Sequence, residues 1–375
     1  MATAATMPAP LFVLLLSCLV APVAISILLY SLAPEGFDAA PIHGYSFEKS
    51  IAVAEKKERV LRFSERVGDG RLTGCEDFAY DAESGYLYTG CDDGWIRRVR
   101  LLNADEPEVE DWVHVGGRPA GMAFGLDKCL LVADVHKGLL MVKEDKSIHL
   151  LTDEAEGLKF GLTDGVDVAS DGVIYFTDAS YKYTVDTCMT GFLEGRPYGR
   201  LMSFDPYTNQ TTVLVRDLYF ANGVSLSPDQ HSLIFCDTVL RSCKRYHIDG
   251  DKKGTVEKFI DNLPGLPDNI RYDGDGHYWI GLSDGRNFAF DMIVKYPLLR
   301  KMLVVIRKYV RMPESLGHAG VMSVTLDGNP VSLYSDPELD LVTTGLKIGK
   351  HLYYTSLVSS YISRIDLTPS LPKDL

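Results

Sequence analysis

The chain has no Cys-x-x-Cys pair; its seven cysteines are scattered, which argues against a zinc site. It has no surplus of positive charge. Fifty-one acidic residues against 38 Lys and Arg give a net charge of −13, which argues against a nucleic-acid partner and suits a cation or a polar neutral ligand. Nor does it have the composition of a disordered chain. At 46% hydrophobic and 24% charged over 375 residues it can bury a core, in one large domain or two. Finally, no Lys or Arg precedes Lys49, and no charge at all occurs from Pro10 to Leu32.

That uncharged run is 23 residues of mostly Leu, Val, Ala and Ile. It is long enough to span a bilayer core and longer than the usual apolar region of a signal peptide. Small residues at Ala21, Ala24 and Ala33 leave cleavage open. Residues 1–33 therefore read as a signal anchor or signal peptide, 34–66 as a linker and 67–375 as the folded body. The body is expected in the secretory pathway, in the endoplasmic reticulum or vacuole, membrane-anchored or lumenal. Asn209-Gln210-Thr211 is then a usable glycosylation sequon in a turn-like stretch. Outside the run six cysteines remain. Cys236 and Cys243 flank a turn, and Cys75 and Cys91 lie one hairpin apart, so an oxidising lumen would allow pairing. Most of the six nevertheless read as buried small apolar thiols.

One local pattern recurs along the body. In Phe220-Ala221-Asn222-Gly223-Val224-Ser225-Leu226-Ser227-Pro228-Asp229 an Asn-Gly step opens an alternating strand and Pro-Asp turns it. Similar openings stand at Gly74-Cys75-Glu76-Asp77, Pro119-Ala120-Gly121, Leu162-Thr163-Asp164-Gly165, Leu266-Pro267-Asp268-Asn269 and Val342-Thr343-Thr344-Gly345. Aligning Glu76, Ala120, Asp164, Asn222, Asn269 and Thr344 gives separations of 44, 44, 58, 47 and 75. A unit of about 45 residues with strand patterning marks a four-stranded propeller blade. The expected fold is all-β: a six-bladed β-propeller with an N-terminal apolar helix. The two long intervals carry insertions, Tyr181–Gly199 and Phe290–Pro313. The second, 290–313, has apolar residues on more than one face and six Lys/Arg against one Asp between 291 and 311. It reads as one basic amphipathic helix, either a membrane-surface contact or lid beside the pocket, or a helix packed on the propeller flank with a solvated basic edge.

In a propeller the first strand of each blade lines the channel, so the aligned residues should form a ring. Glu76, Asp164, Asn222 and Asn269 bring polar oxygens, and Asp268 adds a third carboxylate. Carboxylates and amides without Cys or His suit Ca²⁺. Without a cation, three buried carboxylates would repel one another, so the alternatives are a bound amine or raised pKa values. His318, in Gly317-His318-Ala319-Gly320, is a further acid–base candidate near the mouth.

The segments around Glu76-Asp77, Asn222-Gly223 and Asp268-Asn269, with Val173-Ile174-Tyr175-Phe176-Thr177-Asp178-Ala179-Ser180, resemble the strictosidine synthase-like family of plants. They are also similar to the wider group that holds paraoxonase, gluconolactonase and adipocyte plasma membrane-associated protein. The resemblance covers roughly residues 60–365. It implies a six-bladed propeller with its active site at the channel mouth and a catalytic calcium on Glu76, Asn222, Asp268 and Asn269. Asp164 stands where the group often has Asn. The resemblance also implies a second, structural calcium at Asp77. Two departures are visible. Where paraoxonases carry a His that assists hydrolysis this chain has Ala120, with Arg118 two residues earlier. Where strictosidine synthase has its basic Glu, this chain reads Leu341-Val342-Thr343-Thr344-Gly345, without an acid.

Three expectations follow. One is a calcium-dependent hydrolase of a small ester or lactone, with Asp268 or Asp164 activating water and His318 assisting. The second is an amine–aldehyde condensing lyase, weakened by the missing sixth-blade Glu. The third is a non-catalytic propeller that binds a small molecule or a partner.

Overall fold

The computed structural model describes residues 20–24, 27–28, 31–101, 107–312, 315 and 317–368. Its strands assemble into six blade sheets and one small two-stranded ribbon, Glu154–Ala155 with Leu158–Lys159, and each of the first four blades is one chain-consecutive meander. Blade 1 is Phe78–Asp81, Tyr86–Gly90, Trp95–Arg100 and Val109–His114; blade 2 is Pro119–Phe124, Leu130–Asp134, Gly138–Val142 and Ile148–Thr152. Blade 3 is Thr163–Val168, Ile174–Asp178, Gly199–Asp205 and Gln210–Leu218; blade 4 is Ala221–Leu226, Ser232–Asp237, Ser242–His247 and Val256–Ile260. Blade 5 runs through Gly265–Tyr272, His277–Gly285, Gly320–Thr325 and Pro330–Ser335, and blade 6 through Val342–Ile348, His351–Ser356 and Ile362–Asp366.

These strands read as continuous apolar runs because each blade is covered on both faces. In blade 4, Leu233 and Phe235 join the cluster shared with blade 3, while Ile234 and Cys236 join the one shared with blade 5. Alternate side chains of one strand thus serve opposite interfaces. The same holds around the ring, with one buried cluster at each of the six blade–blade contacts.

The ring closes with chain from the other terminus. Glu65–Val67 pairs antiparallel with Ile362–Asp366 as the outer strand of blade 6, and Glu55–Glu58 pairs parallel with blade 5's Pro330–Ser335. The 34–66 stretch, expected as a linker, is therefore partly woven into the propeller. Its strands are short and polar, so no periodic signal marks them, yet they satisfy two exposed sheet edges.

Both insertions leave from the same place, between the second and third strands of blades 3 and 5. The first carries helix α1 (Cys188–Glu194); the second carries α2 (Phe288–Lys295) and α3 (Pro297–Ile306). The insertion expected as one helix is thus two. Asn287 caps α2 by accepting from the Phe290 amide, and Pro297 can only begin a helix, so the chain breaks at Tyr296. Arg300, counted above on a basic face, is instead fully buried. It donates to the carbonyls of Leu193 and Glu194 at the end of α1, and to Ala40, latching the helices into one lid.

Cys75–Cys91 and Cys236–Cys243 are disulfides, the two pairings the spacing allowed, which corrects the reading of most of the six cysteines as buried thiols. Cys236 and Cys243 sit directly opposite in the hairpin of blade 4, with Cα atoms 4.0 Å apart. Most of the 10–32 apolar run lies outside the described residues. Among those described, no helix is long and apolar enough to cross a membrane.

Candidate functional site

The inner strands of blades 2 to 6 all break register near their start. Each break is a one-residue bulge, which turns one side chain toward the channel mouth. The residues so exposed to a common cavity are Ala120, Asp164, Asn222, Asp268 and Thr343, joined by Glu76 of blade 1. The residues one step further on form a second level: Asp77, Gly121, Gly165, Gly223, Asn269 and Thr344. Their glycines are required by contact between blades. A Cβ on Gly121 or Gly165 would stand 2.9 Å from the next blade's glycine Cα, and one on Gly223 2.5 Å from the Asn269 Cα.

This corrects the aligned ring at two positions. In blades 5 and 6 the mouth residues are Asp268 and Thr343, not Asn269 and Thr344. The step after them is not glycine, so the marker that fixes the register in blades 2 to 4 is missing. Asn269 still reaches the site from below, donating through Nδ2 to Glu76 Oε1 at 2.8 Å.

Above the mouth level lies a cavity of about 310 Å³. Its walls are apolar and come largely from the lid, with Met189 and Phe192 on α1, Phe290 and Ile293 on α2, and Leu303 on α3. Its floor is polar and deeply buried: Glu76, Asp164, Asn222, Asp268 and Asn269 are each less than 9% exposed. Five of their oxygens have no hydrogen-bond partner: Glu76 Oε2, Asp164 Oδ1, Asn222 Oδ1, Asp268 Oδ1 and Asn269 Oδ1. The two amides are oriented by their NH₂ groups, Asn269 toward Glu76 and Asn222 toward Thr238 Oγ1 at 3.3 Å, which leaves their oxygens for the floor. Thr238 in turn donates to the Pro267 carbonyl, and Thr343 to the Glu76 carbonyl at 2.6 Å, so the frame around the floor is fixed.

Burial raises the proton affinity of all three carboxylates. Asp164 is pushed well above the usual range, first by burial and then by the charges of Glu76, Asp268 and Asp178. Asp268 is raised likewise by burial and by Glu76. Glu76 is also raised by burial, against the opposing Asn269 hydrogen bond and the Arg118 and Arg271 charges. Arg118 lines the cavity and makes no side-chain hydrogen bond or ion pair among the described residues. With Asp284 and Arg307, which also line the cavity, four carboxylates less two guanidiniums leave two negative charges when all are ionised, which a single divalent cation would neutralise. Orphaned buried oxygens of carboxylate and amide type are what a hard cation binds. Among the described residues no group of three or more His, Cys, Asp or Glu side chains is set to hold a metal ion, so such a site depends on the two amides.

Two other expected residues lie elsewhere. His318 is exposed, has φ +65° and does not line the cavity. It leads into Gly320–Thr325, the third strand of blade 5, because the insertion splits that blade; it does not open blade 6. Asn209 sits exposed with φ +53° in the turn between the outer strands of blade 3. Asp77, where the resemblance puts a second calcium, is filled instead by Arg271, whose Nε donates to Asp77 Oδ1 at 3.0 Å. Burial pulls the Arg271 pKa down to about 10, leaving it charged at neutral pH. Sequence reading missed Arg271 and the lid residues on α1. The signal for the first was a lone cation in an inner strand, two residues after Asn269.

Comparison with known proteins agrees with this architecture. Residues 59–99 match the model of the strictosidine synthase-like N-terminal family, and residues 164–251 that of strictosidine synthase. The chain is 50% identical over 354 residues to the Arabidopsis thaliana protein STRICTOSIDINE SYNTHASE-LIKE 6, covering 93% of this chain and 94% of the relative. It is 32% identical over 330 residues to the adipocyte plasma membrane-associated protein of Danio rerio, covering 82% and 79%. Among solved structures it resembles regucalcin, described as a calcium-binding protein, from Agrobacterium tumefaciens (TM-score 0.58, 16% identity, 84% of this chain and 95% of that one). A gluconolactonase from Xanthomonas campestris is similar too (TM-score 0.57, 16% identity, 89% and 98%). Bulged inner strands, six blades and half-identical relatives over nearly the full length make this chain a member of the strictosidine synthase-like family.

Proposed function

We propose that the protein is a calcium-dependent hydrolase of a small, largely apolar ester or lactone held under the helical lid. The observation that carries this is the set of five unpartnered oxygens on the floor of an apolar cavity. Glu76, Asp164, Asn222, Asp268 and Asn269 would hold the ion. Bound there, calcium would polarise the substrate carbonyl and stabilise negative charge developing on its oxygen. The chain's own part is proton transfer and exclusion of water. Asp268 or Asp164, each with a free oxygen and a proton affinity raised by burial, takes the proton of the attacking water. Phe192, Phe290 and Leu303 keep bulk solvent off the floor. The gluconolactonase and the calcium-binding regucalcin among the similar folds support the reading. The ring positions Ala120 and Thr343 carry no acid or base, which leaves both proton steps to the carboxylates.

A panel of aryl esters and lactones, assayed with calcium and with EDTA, tests this. Turnover that is lost in EDTA and restored by calcium is expected. Its absence across the panel would sink the hydrolase and leave a binding propeller.

We further infer that the body faces the lumen of the secretory pathway, in the endoplasmic reticulum or vacuole, with the lid against the membrane. Two disulfides and an exposed sequon at Asn209 suit an oxidising lumen. Phe288, Leu298, Ile306, Tyr309 and Val310 are exposed on and just after the lid helices, beside Lys308 and Arg311. Leu32, where the apolar run ends, packs on Val304 and Val305, and its carbonyl accepts from Lys308 Nζ at 2.6 Å. Residues 34–375 should co-sediment with anionic vesicles at low salt, and a Lys308→Glu, Arg311→Glu double variant should do so several-fold less. Equal recovery of the two proteins would remove the lid from the membrane.

A further inference from the structure

Directly below the mouth level a second charged group sits on the channel axis, and it is already neutralised by the chain itself. Asp77 is fully buried and every contact to its carboxylate is a donor. Arg271 Nε donates to Oδ1 at 3.0 Å and its Nη2 to Oδ2, Thr344 Oγ1 donates to Oδ1 at 3.1 Å, and the Met122 amide donates to Oδ2 at 3.3 Å. Arg271 reaches there from the inner strand of blade 5, and its Nη1 also donates to the Val166 carbonyl of blade 3 at 3.2 Å. One guanidinium and one carboxylate therefore join five blades: 1, 2, 3, 5 and 6. A carboxylate, a carbonyl and a hydroxyl from separate blades converge on this point, the type of oxygen set a hard cation takes. The point is held by a cation that cannot dissociate from the chain and keeps its charge at neutral pH.

We propose that Arg271 is the resident cation of the channel, standing where a second metal ion would otherwise sit, so that among the described residues the channel has one divalent site at most. Removing the guanidinium opens a metal site on Asp77, Val166 O and Thr344. A consequence is that metal removal strips the floor of the cavity without loosening the axis of the propeller. The sequence resemblance led to the opposite expectation, a structural calcium on Asp77, and the donors around that carboxylate leave no room for it.

The test counts bound calcium on the full-length chain by calorimetry and native mass spectrometry, with calcium chloride as the probe. Four proteins are compared: wild type, Asp77→Asn, Arg271→Met and the Asp77→Asn, Arg271→Met pair. Asp77→Asn should keep the wild-type count. Arg271→Met should take one ion more, with its thermal midpoint raised by calcium more than that of the wild type, and the paired variant should lose that extra ion. If Arg271→Met folds only when refolded in calcium, that rescue supports the proposal as well. A wild-type count that drops by one in Asp77→Asn overturns it, as does folded Arg271→Met with the wild-type count. If Arg271→Met folds under neither condition, the Asp77→Asn count decides alone. The inference does not depend on the floor being occupied. A wild-type count of zero would sink the calcium reading of the cavity and still leave the extra ion of Arg271→Met to be scored.

Discussion

Replacing Asp268 by asparagine is expected to weaken calcium binding by about 100-fold or more, and Asn222→Ala by at least about tenfold. Substitutions one layer out from a metal typically cost 10–100-fold, and these residues would touch the ion directly. The more telling expectation is the opposite sign of a second effect. In EDTA, Asp268→Asn should raise the thermal midpoint rather than lower it. The wild-type side chain is buried, carries an oxygen without a partner and faces the charge of Glu76. Neutralising it relieves desolvation and like-charge repulsion together. A residue whose role was structural would lose stability in both conditions. Calorimetric titration with calcium and thermal melts in EDTA separate the cases. An Asp268→Asn protein that binds calcium like the wild type, or melts lower in EDTA, would contradict the role given to it.

Calcium affinity is also expected to rise with pH, by about tenfold per pH unit for each proton displaced. Glu76, Asp164 and Asp268 all have folded-state pKa values raised by burial above those of the unfolded chain. A group raised on folding stabilises the fold fully below its unfolded pKa, and that contribution disappears as pH climbs through the folded pKa. The calcium-free protein should therefore lose stability from mildly acid to neutral pH. Calcium, by taking the place of the protons, should cancel most of that loss. Asp167 and Asp237 are raised by burial too, but neither acts on the floor carboxylates, so their contribution is common to both conditions. The quantity to measure is the difference between melts with calcium and with EDTA across this range. A difference that stays constant with pH would mean that the floor carboxylates are not protonated in the free protein.

The propeller was legible because its unit repeats. A spacing of about 45 residues survives wherever nothing is inserted, and the two long intervals hold the insertions at the predicted places. The ring was legible in blades 2 to 4 for a reason that only the structure supplies. Gly121, Gly165 and Gly223 look like turn residues in sequence, but they are glycine because neighbouring inner strands touch there. Asn269 and Thr344 occupy the same level in blades 5 and 6 without that mark, so the sequence alignment slipped by one. Closure by Glu65–Val67 was hidden because it depends on pairing with residues some 300 positions away, including Glu65 with Arg364. Arg271 was hidden for the same kind of reason: its partner, Asp77, lies across the channel and 194 positions earlier. His318 was suggested by residue type alone, and residue type does not say which strand a loop enters.

The most direct measurement is the electron density over the cavity floor in a crystal grown with calcium. The account predicts one ion held by oxygens of Glu76, Asp164, Asn222, Asp268 and Asn269, at the roughly 2.3–2.6 Å usual for calcium, with Arg271 still on Asp77 below it. A floor that takes up only water at saturating calcium, its three carboxylates sharing protons, would contradict it.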